Sequence, residues 1–338
     1  ALWLYDELDR LYASGFHTSD GAVLILSDKA YFITDSRYIE AAGEKVEGAE
    51  LMLCTSDNRE SDIIKKILTE NGITELGAQD GSLSYSEYLR MQETLGVSFV
   101  PSQHITKTLR EVKERYEVDS MIRAQRIAEK ALDHVLGIIC VGMTEKEITA
   151  EIEYQMTKNG AEGLAFETIC VAGANSSRPH GVPSDYKLKT GDFITMDFGC
   201  KINGYCSDMT RTVALGSASD EMRRVYDTVL QAQLAGEKAA HAGVIGRDMD
   251  KAARTVIESA GYGENFGHGL GHSVGLYIHE APNANPRGDR PLPEGTVGPN
   301  QPGRYLSGKI EVRFEDMLYI TKEGVENLTK APKNLIIL

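Results

Sequence analysis

The first third of the chain alternates short apolar runs with amphipathic segments. Four runs are rich in β-branched and other apolar residues and are bounded by turn-forming or charged residues, which predicts β-strands. These runs are Ala22–Ser27, Ala30–Thr34, Glu50–Thr55 and Thr74–Ala78. Apolar positions at helical spacing predict helices over Arg59–Asn71 and Ser84–Leu95. This alternation of strands and helices is typical of an α/β domain.

A charged stretch, Leu109–Val118, separates this part from the rest and leads into a helical pattern that reaches Ile139. We therefore place a domain boundary here and predict two domains, 1–112 and 113–338. The length of 338 residues agrees with two domains of ordinary size.

The second part mixes helices and strands in a different order. Thr144 and Glu147 form a capping box that predicts a helix, which ends at Asn159-Gly160. Helical spacing of apolar residues predicts two further helices, Ser219–Ala240 and Arg247–Ala260. Strand patterns predict three strands, Phe193–Gly199, Tyr205–Val213 and Glu311–Ile320. The predicted fold class of this domain is α+β, a sheet covered by helices.

Composition narrows the possible partners and the compartment. The net charge of −14 argues against a nucleic-acid partner, because phosphate contacts require a basic surface. No apolar run approaches the roughly 18 residues of a membrane span, so we expect no membrane partner. The five scattered cysteines form neither a disulfide framework nor a metal-binding pair. With no signal-peptide pattern at the start, these features predict a cytoplasmic protein with reduced thiols.

The segment Ile194–Thr212 carries the first chemical signal. Asn203-Gly204 between two apolar runs predicts a hairpin with a type I′ turn. This register places Thr210 opposite Asp197 and Gly199 opposite Asp208, so the two acids become diagonal neighbours on one face of the hairpin. Carboxylates this close repel each other unless a cation lies between them, which indicates one or two divalent ions. The alternative is a pair of solvated acids on an exposed sheet face.

Histidines are concentrated in the same half of the chain. His180 lies in a predicted loop, and His268, His272 and His279 lie in the glycine-rich segment Gly267–Pro282. The glycines argue against a helix there and allow backbone and imidazoles to approach a ligand closely. A last acidic strand pattern places Glu311, Arg313 and Glu315 on one side, although a solvated strand face explains that pattern equally well.

Together these segments resemble the creatinase/aminopeptidase P/prolidase metallopeptidase family (M24), in its Xaa-Pro peptidase branch. The motifs PHGVPSD, MDFG…SDMTRT, GHGLGHSVGL..HE.P and VR.ED occur in the order of that family, from about residue 117 to the end. The N-terminal stretch GFHTSDGAVLILSDKAYFITDSRYIEAA is similar to the family's cap domain. The resemblance implies a pita-bread catalytic domain preceded by a smaller α/β creatinase-like cap domain.

The resemblance also implies roles for individual residues. Metal ligands would be Asp197, Asp208, His272, Glu315 and the residue at position 301. They would hold two divalent ions, with manganese favoured over cobalt or zinc. His180, His279 and Arg313 would hold the substrate and stabilise the tetrahedral intermediate, and His268 would lie beside the ligands. The substrate would be a peptide with proline at its second position, and the protein would be a homodimer by analogy.

One position departs from the family pattern. Where the family has a glutamate before Pro-Gly-x-Tyr, this chain has Gln301, followed by Pro302-Gly303 and Tyr305. An amide can ligate an ion through its oxygen, but it adds no negative charge and transfers no proton. Just before it, Pro299 would interrupt a sheet unless it lies at an edge or a bulge. Gln301 is compatible with a natural inactive variant, a deliberate substitution or a local sequence error.

Three functions are therefore considered. The first is a metal-dependent exopeptidase that cleaves Xaa-Pro bonds at the N-terminus of peptides, of aminopeptidase P or prolidase type, impaired here by Gln301. The second is an inactive pseudopeptidase that serves as a peptide-binding or interaction module. The third is a creatinase-like hydrolase without metal, which the retained cluster of acids argues against.

Overall fold

The computed structural model describes residues 1–177, 181–263, 266–306 and 310–338. They form two compact units, Ala1–Leu109 and Arg110–Leu338. The division lies three residues before the boundary that we placed at residue 112. In the described part of the chain, no helix combines the length and the apolar character needed to cross a membrane.

The first unit is a mixed six-stranded sheet with helices against it. Its strands are β1 (Leu2–Leu4), β2 (Ala22–Ile25), β3 (Ala30–Thr34), β4 (Glu50–Leu53), β5 (Glu75–Ala78) and β6 (Ser98–Pro101). They are ordered β4-β3-β2-β1-β5-β6, with parallel pairing of β3 to β4, β1 to β5 and β5 to β6. Its helices are α1 (Glu7–Ser14), α2 (Ile39–Lys45), α3 (Glu60–Glu70), α4 (Tyr85–Leu95) and α5 (Gln103–Glu111), of which α5 crosses the division between the units.

Alternating strand residues build one core on each face of this sheet. Trp3 and Leu24 face one side, where they pack with Ile64 of α3. Leu4, which follows Trp3, and Phe32 of β3 belong to the core on the other side. The four strands and two helices predicted for this region are all present, which confirms the α/β pattern.

The helices of the second unit cover its sheets. They are α6 (Arg115–Leu136), α7 (Glu145–Lys158), α8 (Asp220–Ala239) and α9 (Gly246–Ser259). The capping box is formed as predicted, with Thr144 as the N-cap of α7 and its hydroxyl accepting from the Glu147 amide, and the helix ends at Asn159. Apolar residues of α6 and α7, such as Leu132 and Ile152, pack on the sheet that contains Met196.

The strands of the second unit form several small antiparallel sheets. They are β7 (Gly163–Leu164), β8 (Ile169–Ala172), β9 (Phe193–Phe198), β10 (Cys200–Ile202), β11 (Tyr205–Cys206), β12 (Met209–Ala214), β13 (Gly271–Ser273), β14 (Glu280–Ala284), β15 (Val297–Asn300), β16 (Gly303–Leu306), β17 (Ile310–Arg313), β18 (Asp316–Thr321) and β19 (Gly324–Asn327). The sheet orders are β11-β10-β7, β12-β9-β8, β13-β14, β15-β18-β19 and β16-β17. An isolated bridge between Thr210 and Glu315 connects β12 to the turn between β17 and β18.

Two smaller expectations can be compared with this fold. Pro299 lies opposite Met317 in β15, the outer strand of its three-stranded sheet, which is the position that a proline tolerates. All five cysteines are unpaired thiols, as predicted.

Candidate active site

The predicted hairpin is present and carries two acids into one cavity. Asn203 and Gly204 both have positive φ, 52° and 78°, as a type I′ turn requires. Thr210 pairs with Asp197, as predicted. The predicted register is kept on both sides of Gly199, but Gly199 and Asp208 lie outside the paired strands. The ladder is interrupted here because the Cys200 amide donates to Ser207 Oγ at 3.1 Å instead of to the Ser207 carbonyl.

Glycine is required at this interruption. A Cβ on Gly199 would lie 1.9 Å from the carbonyl oxygen of Ser207, so no larger residue fits without moving the backbone. Strand β12 starts at Met209, and Asp197 and Asp208 both line the same cavity.

Three predicted ligands converge here, of which Asp208 and His272 line the cavity. Ligand atoms of Asp208, His272 and Glu315 all lie within 4.8 Å of one another. His272 Nε2 is 3.9 Å from Asp208 Oδ2. Both carboxylates are buried, Asp208 with 3% and Glu315 with 0% relative exposure.

Gln301 lies beside this group, as predicted. Its Nε2 donates to Glu315 Oε2 at 2.7 Å, and Thr210 Oγ1 donates to the same oxygen at 2.8 Å. The other oxygen, Glu315 Oε1, is buried and has no hydrogen-bond partner among the residues that the structure describes. A buried carboxylate oxygen without a donor is costly unless a further group binds it.

The acids of the site disfavour one another's ionisation. Burial, followed by the charges of Glu315 and Asp197, raises the pKa of Asp208 well above its ordinary value. Burial and the charge of Asp197 raise the pKa of Glu315 to about 8. Because a nearby cation would reverse both effects, the group has the electrostatic character of a cation site.

His272 presents a neutral imidazole to the acids. Burial, followed by the charge of His279, lowers the pKa of His272 to about 4. Its Nδ1 lies 3.2 Å from the carbonyl oxygen of Ser273 and therefore carries the proton. This tautomer leaves the lone pair of Nε2 directed to the side of Asp208, as a metal ligand requires.

Arg313 neutralises part of this acidic group. Its Nη2 lies 3.1 Å from Asp197 Oδ2, and both side chains are almost fully buried. The sequence-based expectation assigned Arg313 to the substrate. In the structure its guanidinium contacts a predicted metal ligand and also lines the cavity.

The cavity has a volume of about 920 Å³. The predicted residues that line it are Asp197, Asp208, His268, His272, His279, Gln301 and Arg313. Phe166, Ile278 and the amides Asn283 and Asn285 are among the other residues that line it. His180 lies outside the described residues, whereas its neighbours Gly181–Pro183 line the cavity. The side chain of Glu311 is likewise outside the described part.

The glycine-rich segment has no helix in its described residues, as predicted, and β13 begins at Gly271. A Cβ on Gly269 would lie 2.4 Å from the Cβ of Asn285, so the segment packs closer to β14 than another residue would allow. The rings of His272 and His279 lie edge to face with centroids 4.5 Å apart.

The sequence did not reveal a buried ion pair behind the acids. Arg211 donates to Asp316 Oδ1 at 2.7 Å, and its Nη1 donates to the carbonyls of Thr210 and Glu315 at 2.9 and 3.0 Å. It therefore fixes the backbone of two residues of the site. The only sign of this ion pair in the sequence was that Arg211 lies within the predicted strand Tyr205–Val213. A charged residue in a strand that is buried on both faces requires an oppositely charged partner.

A second buried ion cluster adjoins His279. Glu280 contacts the guanidinium of Arg110 and the ammonium of Lys113, whose Nζ is 3.1 Å from Glu280 Oε2. Burial opposes the ionisation of Glu280, yet Lys113 and Arg110 together hold its pKa below the ordinary value.

Comparisons with known proteins agree with this geometry. A model of metallopeptidase family M24 matches residues 119–322, and a model of the creatinase/prolidase N-terminal domain matches residues 1–112. This chain belongs to metallopeptidase family M24. It is therefore a peptidase, and its family uses divalent metal ions.

Several relatives of this M24 peptidase cover most of its length. The uncharacterized peptidase YqhT of Bacillus subtilis is 37% identical over 335 residues, which are 97% of this chain and 92% of that protein. The Xaa-Pro dipeptidase of Pyrococcus furiosus is 39% identical over 264 residues, which are 78% of this chain and 76% of that protein.

Solved structures extend the similarity to the fold. A Xaa-Pro dipeptidase from Bacillus anthracis is 41% identical, with a TM-score of 0.96 over 100% of this chain and 94% of that chain. An X-Pro aminopeptidase from Thermotoga maritima is 37% identical, with a TM-score of 0.96 over 100% of this chain and 97% of that chain. The predicted architecture, a creatinase-like N-terminal domain before a pita-bread catalytic domain, is confirmed.

Proposed function

We propose that this M24 peptidase is a metal-dependent exopeptidase that hydrolyses the Xaa-Pro bond at the N-terminus of peptides, and that Gln301 weakens its turnover. The observation that carries the proposal is the convergence of Asp208, His272 and the fully buried Glu315, of which Asp208 and His272 line a cavity together with Asp197 and two further histidines. The named activities of the P. furiosus, B. anthracis and T. maritima proteins support the substrate class.

The residues present fit divalent ions. We propose that Asp197, Asp208, His272 and Glu315, with Gln301, hold two of them, manganese by preference because carboxylate oxygens dominate the donor set. The raised pKa of Asp208 and the unpartnered Glu315 Oε1 are what a cation would relieve. When bound, such ions act as Lewis acids on a peptide carbonyl and lower the pKa of water toward neutrality.

The chain itself supplies the groups that bind and orient the peptide. His279 lines the cavity beside His272 and is proposed to donate a hydrogen bond to the carbonyl oxygen as it becomes anionic. His268 also lines the cavity, and its Nδ1 donates its proton to the carbonyl oxygen of Gly269 at 2.7 Å. Burial lowers the pKa of His268, which favours this neutral form, so its Nε2 is an acceptor and not a donor. We propose a substrate-holding role for His180 and Arg313 as well, and for Arg313 the role is shared with its ion pair to Asp197.

Gln301 is proposed to reduce activity in two ways. Three carboxylates do not balance the charge of two divalent ions, and an amide that donates to Glu315 cannot accept a proton during turnover. A pseudopeptidase that binds peptides without cleaving them is the second candidate, and Gln301 is the observation that favours it. A metal-free creatinase-like hydrolase is disfavoured, because it gains nothing from mutually repelling buried acids.

The remaining expectations stay predictions. We propose a boundary near residue 112 between the N-terminal domain and the catalytic domain. The homodimer and the cytoplasmic location are likewise proposals that rest on the family resemblance and on composition.

The substrate class is tested by comparing matched peptides that differ only at the second residue. With added Mn²⁺, the Gln301→Glu chain should release the first residue from Ala-Pro and from Ala-Pro-Phe, but not from Ala-Ala or Ala-Ala-Phe. Asp208→Ala in the same background serves as the control and should abolish release.

Equal hydrolysis of the proline and alanine series would overturn the Xaa-Pro assignment. Calorimetric binding of Ala-Pro peptides without turnover, in both the parent and the Gln301→Glu chain, would support the pseudopeptidase instead.

A further inference from the structure

Helix α9 carries an ion pair that faces the glycine-rich segment rather than solvent. Asp250 and Arg254 are one helical turn apart, and their bidentate contact joins Arg254 Nε to Asp250 Oδ2 at 2.8 Å and Arg254 Nη2 to Asp250 Oδ1 at 3.1 Å. The side chain of Asp250 is 2% exposed and that of Arg254 is 20% exposed. An exposed i,i+4 pair contributes little energy, so the burial of this pair indicates a further task.

The pair holds three alternate residues of one backbone segment. Arg254 Nη1 donates to the carbonyl of Phe266 and Nη2 donates to the carbonyl of His268, each at 2.8 Å. The amide of Leu270 donates to Asp250 Oδ1 at 2.9 Å. The guanidinium carbon also lies 4.2 Å from the centre of the Phe266 ring, as in a cation–π contact.

The held segment needs such support, because Gly267, Gly269 and Gly271 provide no side chains that could fix it. Glycine loses more conformational entropy on ordering than any other residue. A planar guanidinium with several donors in fixed directions can hold two carbonyls and the Asp250 carboxylate at once, which a lysine ammonium cannot do in this geometry.

The segment 266–270 contributes two groups to the site. His268 lines the cavity, and the carbonyl of Leu270 accepts from the Gln301 amide at 2.7 Å. The side chain of Gln301 in turn donates to Glu315. The clamp formed by Asp250 and Arg254 thus contacts the backbone of His268 directly and the residues two positions before and after it, Phe266 and Leu270. Through Leu270 it is one further hydrogen bond away from the Gln301 backbone.

We propose that Asp250 and Arg254 are positioning residues that fix the backbone at residues 266–270, and with it the imidazole of His268 and the backbone of Gln301. Neither side chain lines the cavity. The kinetic part of this inference rests on the proposed peptidase function, whereas the structural part does not.

The decisive variants are Arg254→Ala and Arg254→Lys. Arg247→Ala is the matched control, since Arg247 lies on the same helix with an exposed side chain. Backbone hydrogen exchange takes place in the intact protein with Gln301 retained, and it is read from the digestion fragment that spans residues 266–271. It is measured with and without millimolar guanidinium, and with sodium at equal ionic strength. Xaa-Pro kinetics are measured in the Gln301→Glu background, with and without millimolar guanidinium and with sodium at equal ionic strength.

We expect faster exchange of the Leu270 amide in Arg254→Ala and a fall of about 10–100-fold in kcat/KM, as is typical when a group that orients a ligand is removed. Guanidinium should restore both quantities by occupying the vacated position, and sodium should restore neither. Arg254→Lys should remain impaired although its charge is kept. Arg247→Ala should match the parent.

Exchange and kinetics in Arg254→Ala that equal those of Arg247→Ala would overturn the proposal. Faster exchange of the Leu270 amide in Arg254→Ala with an unchanged kcat/KM would show that Asp250 and Arg254 hold the segment but do not affect catalysis. If no variant, including the Gln301→Glu parent, cleaves Xaa-Pro peptides, the proposed function fails, yet the exchange at Leu270 and its recovery with guanidinium still decide whether the clamp exists. If Arg254→Ala does not fold, Arg254→Lys, judged by the same exchange measurement, decides the outcome.

Discussion

The substitution Gln301→Glu changes one amide into a carboxylate at the centre of the proposed site. In the parent chain, Gln301 Nε2 donates to Glu315 Oε2 at 2.7 Å, and Glu315 belongs to a buried group of acids whose pKa values are already raised. A glutamate cannot donate this hydrogen bond unless it is protonated, and when ionised it adds a fourth negative charge. The same change therefore has opposite consequences without metal and with metal.

Without metal, the variant should be less stable than the parent. Losing a hydrogen bond to an ionisable acceptor costs about 1.5–3 kcal/mol, before any repulsion is added. For a domain of this size, each kcal/mol lowers Tm by roughly 2–4 °C, so we expect a decrease of about 3–12 °C. With metal, the added charge strengthens binding, and ligand present at about 100 times its Kd restores about 2.7 kcal/mol.

With metal, the variant should also be faster. A glutamate at this position can take and return a proton, and general acid–base catalysis contributes typically about 10²–10⁴-fold to a rate. We expect kcat for an Xaa-Pro peptide to rise by at least about 100-fold at saturating Mn²⁺.

The assays are thermal unfolding with chelator or with Mn²⁺, and Xaa-Pro turnover over a range of Mn²⁺ concentrations. Gln231→Glu is the matched control, because it makes the same chemical change on the exposed face of α8. Full activity of the parent, or a Gln301→Glu chain that is equally stable with chelator and gains no rate with Mn²⁺, would refute the reasoning.

Two further predictions concern stability. Gly199→Ala should lower the free energy of unfolding of the second unit, measured in urea, by roughly 1–3 kcal/mol or more, because the added Cβ would lie 1.9 Å from the carbonyl oxygen of Ser207. Gly163→Ala is the control and should be nearly neutral, because its Cβ would have no atom within 4 Å. Burial raises the pKa of Glu60 from 4.5 to about 7, so its ionisation destabilises the fold progressively above pH 4.5 and completely above pH 7. Glu60→Gln should therefore stabilise the first unit by roughly 1–3 kcal/mol at pH 8 and by much less at pH 5. Glu40→Gln, the same change at an exposed position in the first turn of α2, is the matched control. A gain for Glu60→Gln that is equal at both pH values would contradict the assigned pKa.

Local signals in the sequence were sufficient for the hairpin turn and for the strands and helices with a clear apolar pattern, whereas short elements such as β1, α2 and β13 were not predicted. Asn203-Gly204 specifies a turn with two positive φ angles, and the turn fixes the register that pairs Thr210 with Asp197. The capping box of α7 is equally local. The register could not reveal the break at Gly199, because the break depends on the close packing of Gly199 against the Ser207 carbonyl.

Long-range partners of charged residues were not predictable. Asp250 and Arg254 have the spacing of an ordinary surface pair on a helix, and only the fold shows that the glycine-rich segment covers them. Arg313 has strand spacing with Glu315, yet its ion pair is with Asp197, more than a hundred residues earlier. The order of the strands in the first unit likewise depends on how distant segments pack.

Counting bound Mn²⁺ shows whether the acids and His272 form a divalent-metal centre that Gln301 weakens. Purified parent, Gln301→Glu and Gln301→Glu with Asp208→Ala are loaded with Mn²⁺, dialysed against a weak chelator and analysed for metal per chain. We expect two ions retained by Gln301→Glu, fewer and more weakly held ions in the parent, and a marked loss when Asp208 is removed. Two tightly held ions in the parent, or no Mn²⁺ in any of the three proteins, would contradict this expectation.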